Sequence, residues 1–143
     1  MFYCKKLVFN VPLFQNMPIA LINTIIFSLI QVLYMPGEVV VKYGKPGSSL
    51  YLIASGTVAI MNSEGKEVGH LKDGAFFGER ALLKPGTPRS ATIVALEITE
   101  IYKLNHLQLQ ACLQPCPRLK RRLVEENSQA ERRPRVRRGA QPE

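Results

Sequence analysis

Between residues 19 and 29 the apolar side chains recur at helical spacing. Leu21, Ile22, Ile25, Ile26 and Leu29 share one face, and Pro18 stands where a first helical turn tolerates a missing N–H. This spacing predicts a helix buried on one face. The whole stretch "IALINTIIFSLIQVLYM", residues 19 to 35, reads as that helix running into a strand. It is not read as a membrane span, which needs roughly 20 mostly apolar residues. Asn23, Thr24, Ser28 and Gln31 interrupt it, and Pro18 and Pro36 bound it.

After it the period shortens. "VLYMPGEVVVKYGKPGSSLYLIASGTVAIMNSEGKEVGHL" is a series of short apolar, β-branched or aromatic runs cut by turn signals at Pro36-Gly37, Gly44, Pro46-Gly47, Ser55-Gly56 and Glu64-Gly65. Strands so closely spaced predict an antiparallel barrel, sandwich or roll rather than alternating βαβ units. "ATIVALE" and "TEIYKLN" predict a further pair of strands around a tight turn. Helical character returns behind Asn105, an N-cap residue followed by "HLQLQACL". Pro115 and Pro117 interrupt, and "RLKRRLVEEN" predicts a second helix. The order is helix, about eight short strands, then helices: an α+β fold with an antiparallel, jelly-roll-like β-roll core.

Composition changes this picture in two places. The 143 residues suffice for one domain with its own core, and the net charge of +8 is unevenly spread. Residues 118–138 hold nine basic and three acidic side chains, leaving ten basic and eight acidic for the rest of the chain. The body is therefore nearly neutral, and the residues from Arg132 onward, with little to bury, read as a disordered tail. Cys4, Cys112 and Cys116 form no CxxC pair, and His70 and His106 stand alone, which predicts reduced thiols and neither a disulfide framework nor a metal site. Residues 1–7 lack the apolar core of a signal peptide.

The candidate chemistry lies in "FFGERALLKPGTPRSA", residues 76 to 91. Gly74 and Gly78 permit close backbone approach and positive φ. "GERALL" has the composition of a short helical turn, predicted over residues 79 to 83, whose first amides near Glu79, Arg80 and Ala81 carry partial positive charge. That makes an anion cradle. Arg89, returned by Pro85-Gly86-Thr87-Pro88, adds a guanidinium suited to phosphate oxygens, with the Ser90 hydroxyl beside it. Glu79 would repel a phosphate unless it accepts hydrogen bonds from another part of the same ligand, as a sugar hydroxyl would donate. The competing reading pairs Glu79 with Arg80 or Arg89 on the surface.

"FGERALL" followed by "PRSA", after strands containing "MPGEVVVKYGKPGSSLYLIASGTVAI", resembles the cyclic nucleotide-binding domain family, whose phosphate cassette reads F-G-E-x-x-L-L up to R-[ST]-A. The resemblance covers about residues 11 to 125 and includes the family's structural glycines at Gly37, Gly44, Gly47, Gly56, Gly74 and Gly78. It implies that Glu79 bonds the ribose 2′-hydroxyl and Arg89 the cyclic phosphate of cyclic AMP or cyclic GMP, with backbone N–H groups around Gly78, Arg80 and Ala81 completing the cradle. Ser90 takes the Ser/Thr position that can touch a guanine. Ile60, Val68 and Leu71 form an apolar wall for the purine, and Phe77 packs beneath the cassette.

"CKKLVFNVPLFQNMP" is similar to the end of the linker joining the pore of hyperpolarisation-activated and cyclic nucleotide-gated channels to their binding domain. The resemblance thus implies the end of a linker helix over residues 1–12, the binding domain over 13–126 and a basic tail over 127–143. The implied protein is a non-catalytic sensor on the cytoplasmic side that gates a cation channel, with no cofactor. Its partners are the nucleotide, the rest of the parent and, through the parent, further copies. "GTPRSAT" is closer to the regulatory subunits of cyclic-AMP-dependent kinase, and a sodium/proton exchanger is also compatible. Ligand-free potassium channel relatives lack the charged cassette contacts that Glu79 and Arg89 keep here. The arginine-rich tail reads as a solvated or partner-contacting extension rather than a nucleic-acid reader. The family's final helix, which tells the two bases apart, would run through "RLKRRLVEENSQAERR", where Pro134 ends it early.

Overall fold

The computed structural model describes residues 2–132. Helix α1 (Phe2–Phe9) leads through a 3₁₀ turn, Pro12–Phe14, into α2 (Ile19–Ser28), which buries Leu21, Ile22, Ile25 and Ile26. The strand β1 (Ile30–Tyr34) follows at once, so residues 19 to 35 divide into a helix and a strand as their spacing predicts. Among the described residues no helix is long and apolar enough to cross a membrane.

Nine more strands make up the roll: β2 (Val39–Val41), β3 (Pro46–Gly47), β4 (Ser49–Ser55), β5 (Thr57–Met61), β6 (Glu67–Lys72), β7 (Phe76–Phe77), β8 (Thr87–Pro88), β9 (Thr92–Ala95) and β10 (Thr99–Asn105). The short helix α3 (Glu79–Leu83) sits between β7 and β8, and α4 (His106–Leu113) and α5 (Pro117–Arg132) close the chain. All pairings are antiparallel, in the orders β1-β10-β4-β7 and β2-β9-β5-β6, with β3-β8 as a separate ribbon. The count exceeds the expected eight, and β3, β7 and β8 are only two residues each.

One expectation is corrected. "ATIVALE" and "TEIYKLN" do form strands, β9 and β10, but they are not a hairpin: β9 lies between β2 and β5, whereas β10 lies between β1 and β4. The chain crosses from one sheet to the other over residues 96 to 98. Thr99 fixes the crossing: it is fully buried, its Oγ1 donates to Glu97 O at 2.9 Å, and it lies against Gly56. Two apolar neighbours for each strand outweigh the local pairing that adjacency in sequence suggests.

Strand β4 explains how the roll carries a helical layer. Successive side chains of a strand point to opposite faces. Leu50, Leu52 and Ala54 join a core with α1, α2, α4 and α5, which includes Phe14, Ile22, Ile25, Leu104, Leu109 and Leu123. Tyr51 and Ile53 point the other way, into a smaller cluster inside the roll with Val58, Ile60, Leu71, Phe77, Ala91, Ile93 and Ile101. Both faces of β4 are thus buried, and the sequence there is a continuous apolar run rather than an alternating one.

The start of α4 is capped as predicted. The Asn105 side chain accepts from Gln108 N at 2.8 Å and the Gln108 side chain accepts from Asn105 N at 2.8 Å, a reciprocal capping box. Helix α5 continues to Arg132, so the stretch from residue 127 read as tail begins within it. Residues 133–143, including Pro134, lie outside the described residues. All three cysteines are unbridged, with Cys4 and Cys112 buried.

Candidate functional site

The segment from Phe76 to Ala91 is built around two positions where a side chain cannot fit. Gly78 has φ +88°, and a Cβ there would lie 2.4 Å from Ser49 O and 2.8 Å from Arg89 Nη1. Glycine answers both the left-handed backbone and the missing space. From it the chain turns directly into α3, whose bounds are those the composition of "GERALL" predicts. At Gly47 the backbone is ordinary, yet a Cβ would come within 2.2 Å of Arg89 Nε and 2.3 Å of its Cζ. The two absent side chains leave the volume that the guanidinium fills.

Arg89 is held at both its ends. Its backbone N donates to Lys45 O at 2.9 Å and its carbonyl accepts from Gly44 N at 2.8 Å, extending the β3–β8 ribbon. Gly86 N adds a bond to Gly47 O at 2.9 Å. The loop of prolines and Gly86 closes on itself through Thr87, whose Oγ1 donates to Lys84 O at 2.6 Å, and is aimed by pairing with residues 44 to 47. The side chain, only 7% exposed, donates from Nη2 to Ser49 O at 3.1 Å, and its Cζ lies 5.5 Å from the centroid of the Tyr51 ring. Tyr51 in turn stacks on Phe77, with centroids 4.9 Å apart and planes 14° from parallel. Burial pushes the Tyr51 phenol above its usual range, and the charge and hydrogen bond of Arg89 pull it partly back. A buried guanidinium needs such compensation, because desolvating an unpaired cation is costly.

The other expected residues fall into three settings. Glu79 and Arg80 open α3 half-buried, with Glu79 Oε2 shielded from solvent, while Ala81 is buried and Ser90 is exposed beside Arg89. Ile60 and Leu71 join Tyr51, Phe77 and Ala91 in the cluster inside the roll. Val68 is not brought there. It is 60% exposed, and the pairing of β5 with β6 skips it, since Ile60 faces Gly69 and Met61 faces Glu67. Val68 and Leu71 stand three positions apart on β6, so alternation turns them to opposite faces, and the bulge leaves Val68 with no residue opposite it on β5.

Sequence reasoning missed Tyr51 and Ser49. Tyr51 reads as one more apolar strand position, and Ser49 acts through its backbone, so neither leaves a local signal. A further tie links the site to the helices: His106 Nδ1 hydrogen-bonds Leu82 O of α3 at 2.7 Å, and its backbone N donates to Ser48 O at 2.8 Å. Among the described residues no group of three or more His, Cys, Asp or Glu side chains is placed to hold a metal.

A buried cation, a half-buried carboxylate ten positions before it and an apolar interior next to both can receive a ligand with an anionic end and a nonpolar end. A family profile described as "Cyclic nucleotide-binding domain" matches residues 31–116. The chain belongs to the cyclic nucleotide-binding domain family. Within it the chain is 31% identical over 120 residues to potassium/sodium hyperpolarization-activated cyclic nucleotide-gated channel 2 of Mus musculus, covering 84% of this chain. The corresponding channel 4 of Oryctolagus cuniculus matches at the same identity. The chain spans 14% and 10% of the lengths of these two relatives. Among solved structures, the N-terminal domain of a transcriptional regulator from Streptomyces coelicolor superposes with a TM-score of 0.74 at 25% identity, over 88% of this chain and 89% of that one. A cyclic nucleotide-binding-like protein from Brucella abortus superposes with a TM-score of 0.71 at 22% identity, over 77% and 97%, and supports the fold.

Proposed function

We propose that this domain is a cyclic nucleotide sensor: it binds cyclic AMP or cyclic GMP in the Gly78–Ser90 cassette and regulates an attached module without doing chemistry itself. The observation that carries this reading is the buried Arg89 guanidinium beside Gly78, at the head of α3. In this reading Arg89 contacts the cyclic phosphate, and the backbone of Gly78, Arg80 and Ala81 supplies further donors. Glu79 accepts from the ribose, Ser90 borders the phosphate, and Ile60 and Leu71 back the purine with Val68 at the rim. The tie of His106 to Leu82 gives movement of the cassette a direct route to α4, and the contact of α4 with α5 extends it.

The attached module is assigned to a cation channel on the cytoplasmic side. Supporting this are the identity with the channels over 120 residues and the N-terminal elements, whose Val11 and Phe14 are fully buried against the helical core. The domain division follows: residues 1–12 end a linker, 13–126 bind ligand and 127–143 form a basic extension. Calorimetry of the intact chain with each nucleotide tests the reading. Binding of either one is expected, and no heat at millimolar ligand overturns it.

A further inference from the structure

Arg89 is held over an aromatic base that the family cassette itself does not contain. Its Cζ stands 5.5 Å from the Tyr51 ring centroid, within reach of a cation–π interaction, and Tyr51 itself stacks on Phe77 with centroids 4.9 Å apart. The Tyr51 ring is 8% exposed and Phe77 is 1% exposed, so neither ring can swing aside without opening the cluster inside the roll. Among the other restraints on the guanidinium are the carbonyl Ser49 O, a hydrogen bond with the Tyr51 hydroxyl, and the closeness of Gly47 and Gly78. A carbonyl fixes one nitrogen. A ring face also fixes the tilt of the guanidinium plane, and a planar fork discriminates by tilt which oxygens it can reach.

We propose that Tyr51, carried on Phe77, is a positioning residue that sets the orientation of Arg89 for an anionic ligand group. The inference rests on the reading of Arg89 as the phosphate contact. The Tyr51 hydroxyl also hydrogen-bonds the Arg89 side chain, but the ring face sets the tilt, so phenylalanine serves at position 51 and an aliphatic side chain does not. The ring touches Arg89 rather than the ligand, so its effect on affinity exists only while Arg89 is present.

The test is calorimetry with cyclic AMP on the intact chain and on Tyr51→Phe, Tyr51→Met, Arg89→Ala and the double variant Tyr51→Met/Arg89→Ala. Loss of a desolvated cation–π contact is expected to weaken binding roughly 5- to 30-fold in Tyr51→Met. Tyr51→Phe should stay within about threefold of the parent, and Tyr51→Met should add nothing in the Arg89→Ala background. A merely structural role would lower affinity in both backgrounds alike, and that outcome overturns the proposal. So does a Tyr51→Phe variant as weak as Tyr51→Met.

Where Tyr51→Met fails to fold, nuclear magnetic resonance of the parent chain decides. The Arg89 Nε–H proton should show an upfield ring-current shift that persists in Tyr51→Phe, and an unshifted proton overturns the contact. This readout needs no ligand. If the parent chain binds no nucleotide while the shift is present, the functional reading has failed and the contact stands.

Discussion

The two cores on either side of β4 are made of the same residue types but obey different rules. The helix-side core joins α1, α2, α4 and α5 to the outer face of the roll through side chains such as Phe14, Ile22, Ile25 and Leu104, with the Ser28 hydroxyl against Cys112 Sγ at its edge. The core inside the roll is smaller, and it ends on a buried cation, a tyrosine and the glycines that make room for them. One strand serves both, with Leu50 and Leu52 on one side and Tyr51 and Ile53 on the other. The difference teaches that stability and binding have been sorted by face: the helix side closes the fold, and the roll side is left with polar groups held in place by packing.

The largest effect that separates the faces should come from Leu52→Ala, which removes a 1%-exposed side chain from the helix-side core. Chemical denaturation is expected to show a loss of roughly 2–5 kcal/mol, while nucleotide affinity of the protein that remains folded stays near that of the parent. A large affinity change without a stability change would break the division. Arg89→Ala should do the reverse. Calorimetry is expected to show at least about a tenfold loss of affinity, in keeping with charge-assisted bonds worth roughly 1.5–3 kcal/mol, with a smaller loss of stability from Ser49 O left without its guanidinium.

Asn105→Ala, at the cap of α4, should cost about 1 kcal/mol of folding free energy by the same denaturation measurement, since the capping box satisfies two amides. The smallest effect is confined to alkaline solution. Tyr51 and Tyr34 both have phenols raised above 10.0, in each case first by burial. The unfolded chain therefore ionises first. Their contribution to stability is fully present below pH 10.0 and is lost as pH rises through the folded values. Thermal unfolding above pH 10 should show this decline, and Tyr51→Phe should flatten it.

Most of what the sequence discloses here is local. The bounds of α3, the Asn105 cap, the helix before β1 and the ends of β10 each follow from residues within a few positions of one another. What it conceals depends on partners distant in sequence. Adjacency suggests that β9 and β10 pair, but each finds its neighbours among strands 31 or more residues earlier. The same holds for the site: Gly78, Glu79 and Arg89 stand out in the chain, whereas Tyr51 lies 38 positions from the arginine it supports and looks like any strand residue. Val68 is a different case: it and Leu71 are three positions apart in one strand, so alternation alone sets them on opposite faces, and that much is legible in the sequence.

The ribbon of β3 and β8 has a consequence in time rather than in energy. Pro46 faces Pro88 across it, so neither residue donates a hydrogen bond, and closure falls to the amides of Gly44, Gly86 and Arg89 around them. Those three amides are locked by one small structure whose last fastening is the guanidinium on Ser49 O. In hydrogen exchange they are expected to open as a single unit, and a common rate would then time how often the arginine lets go.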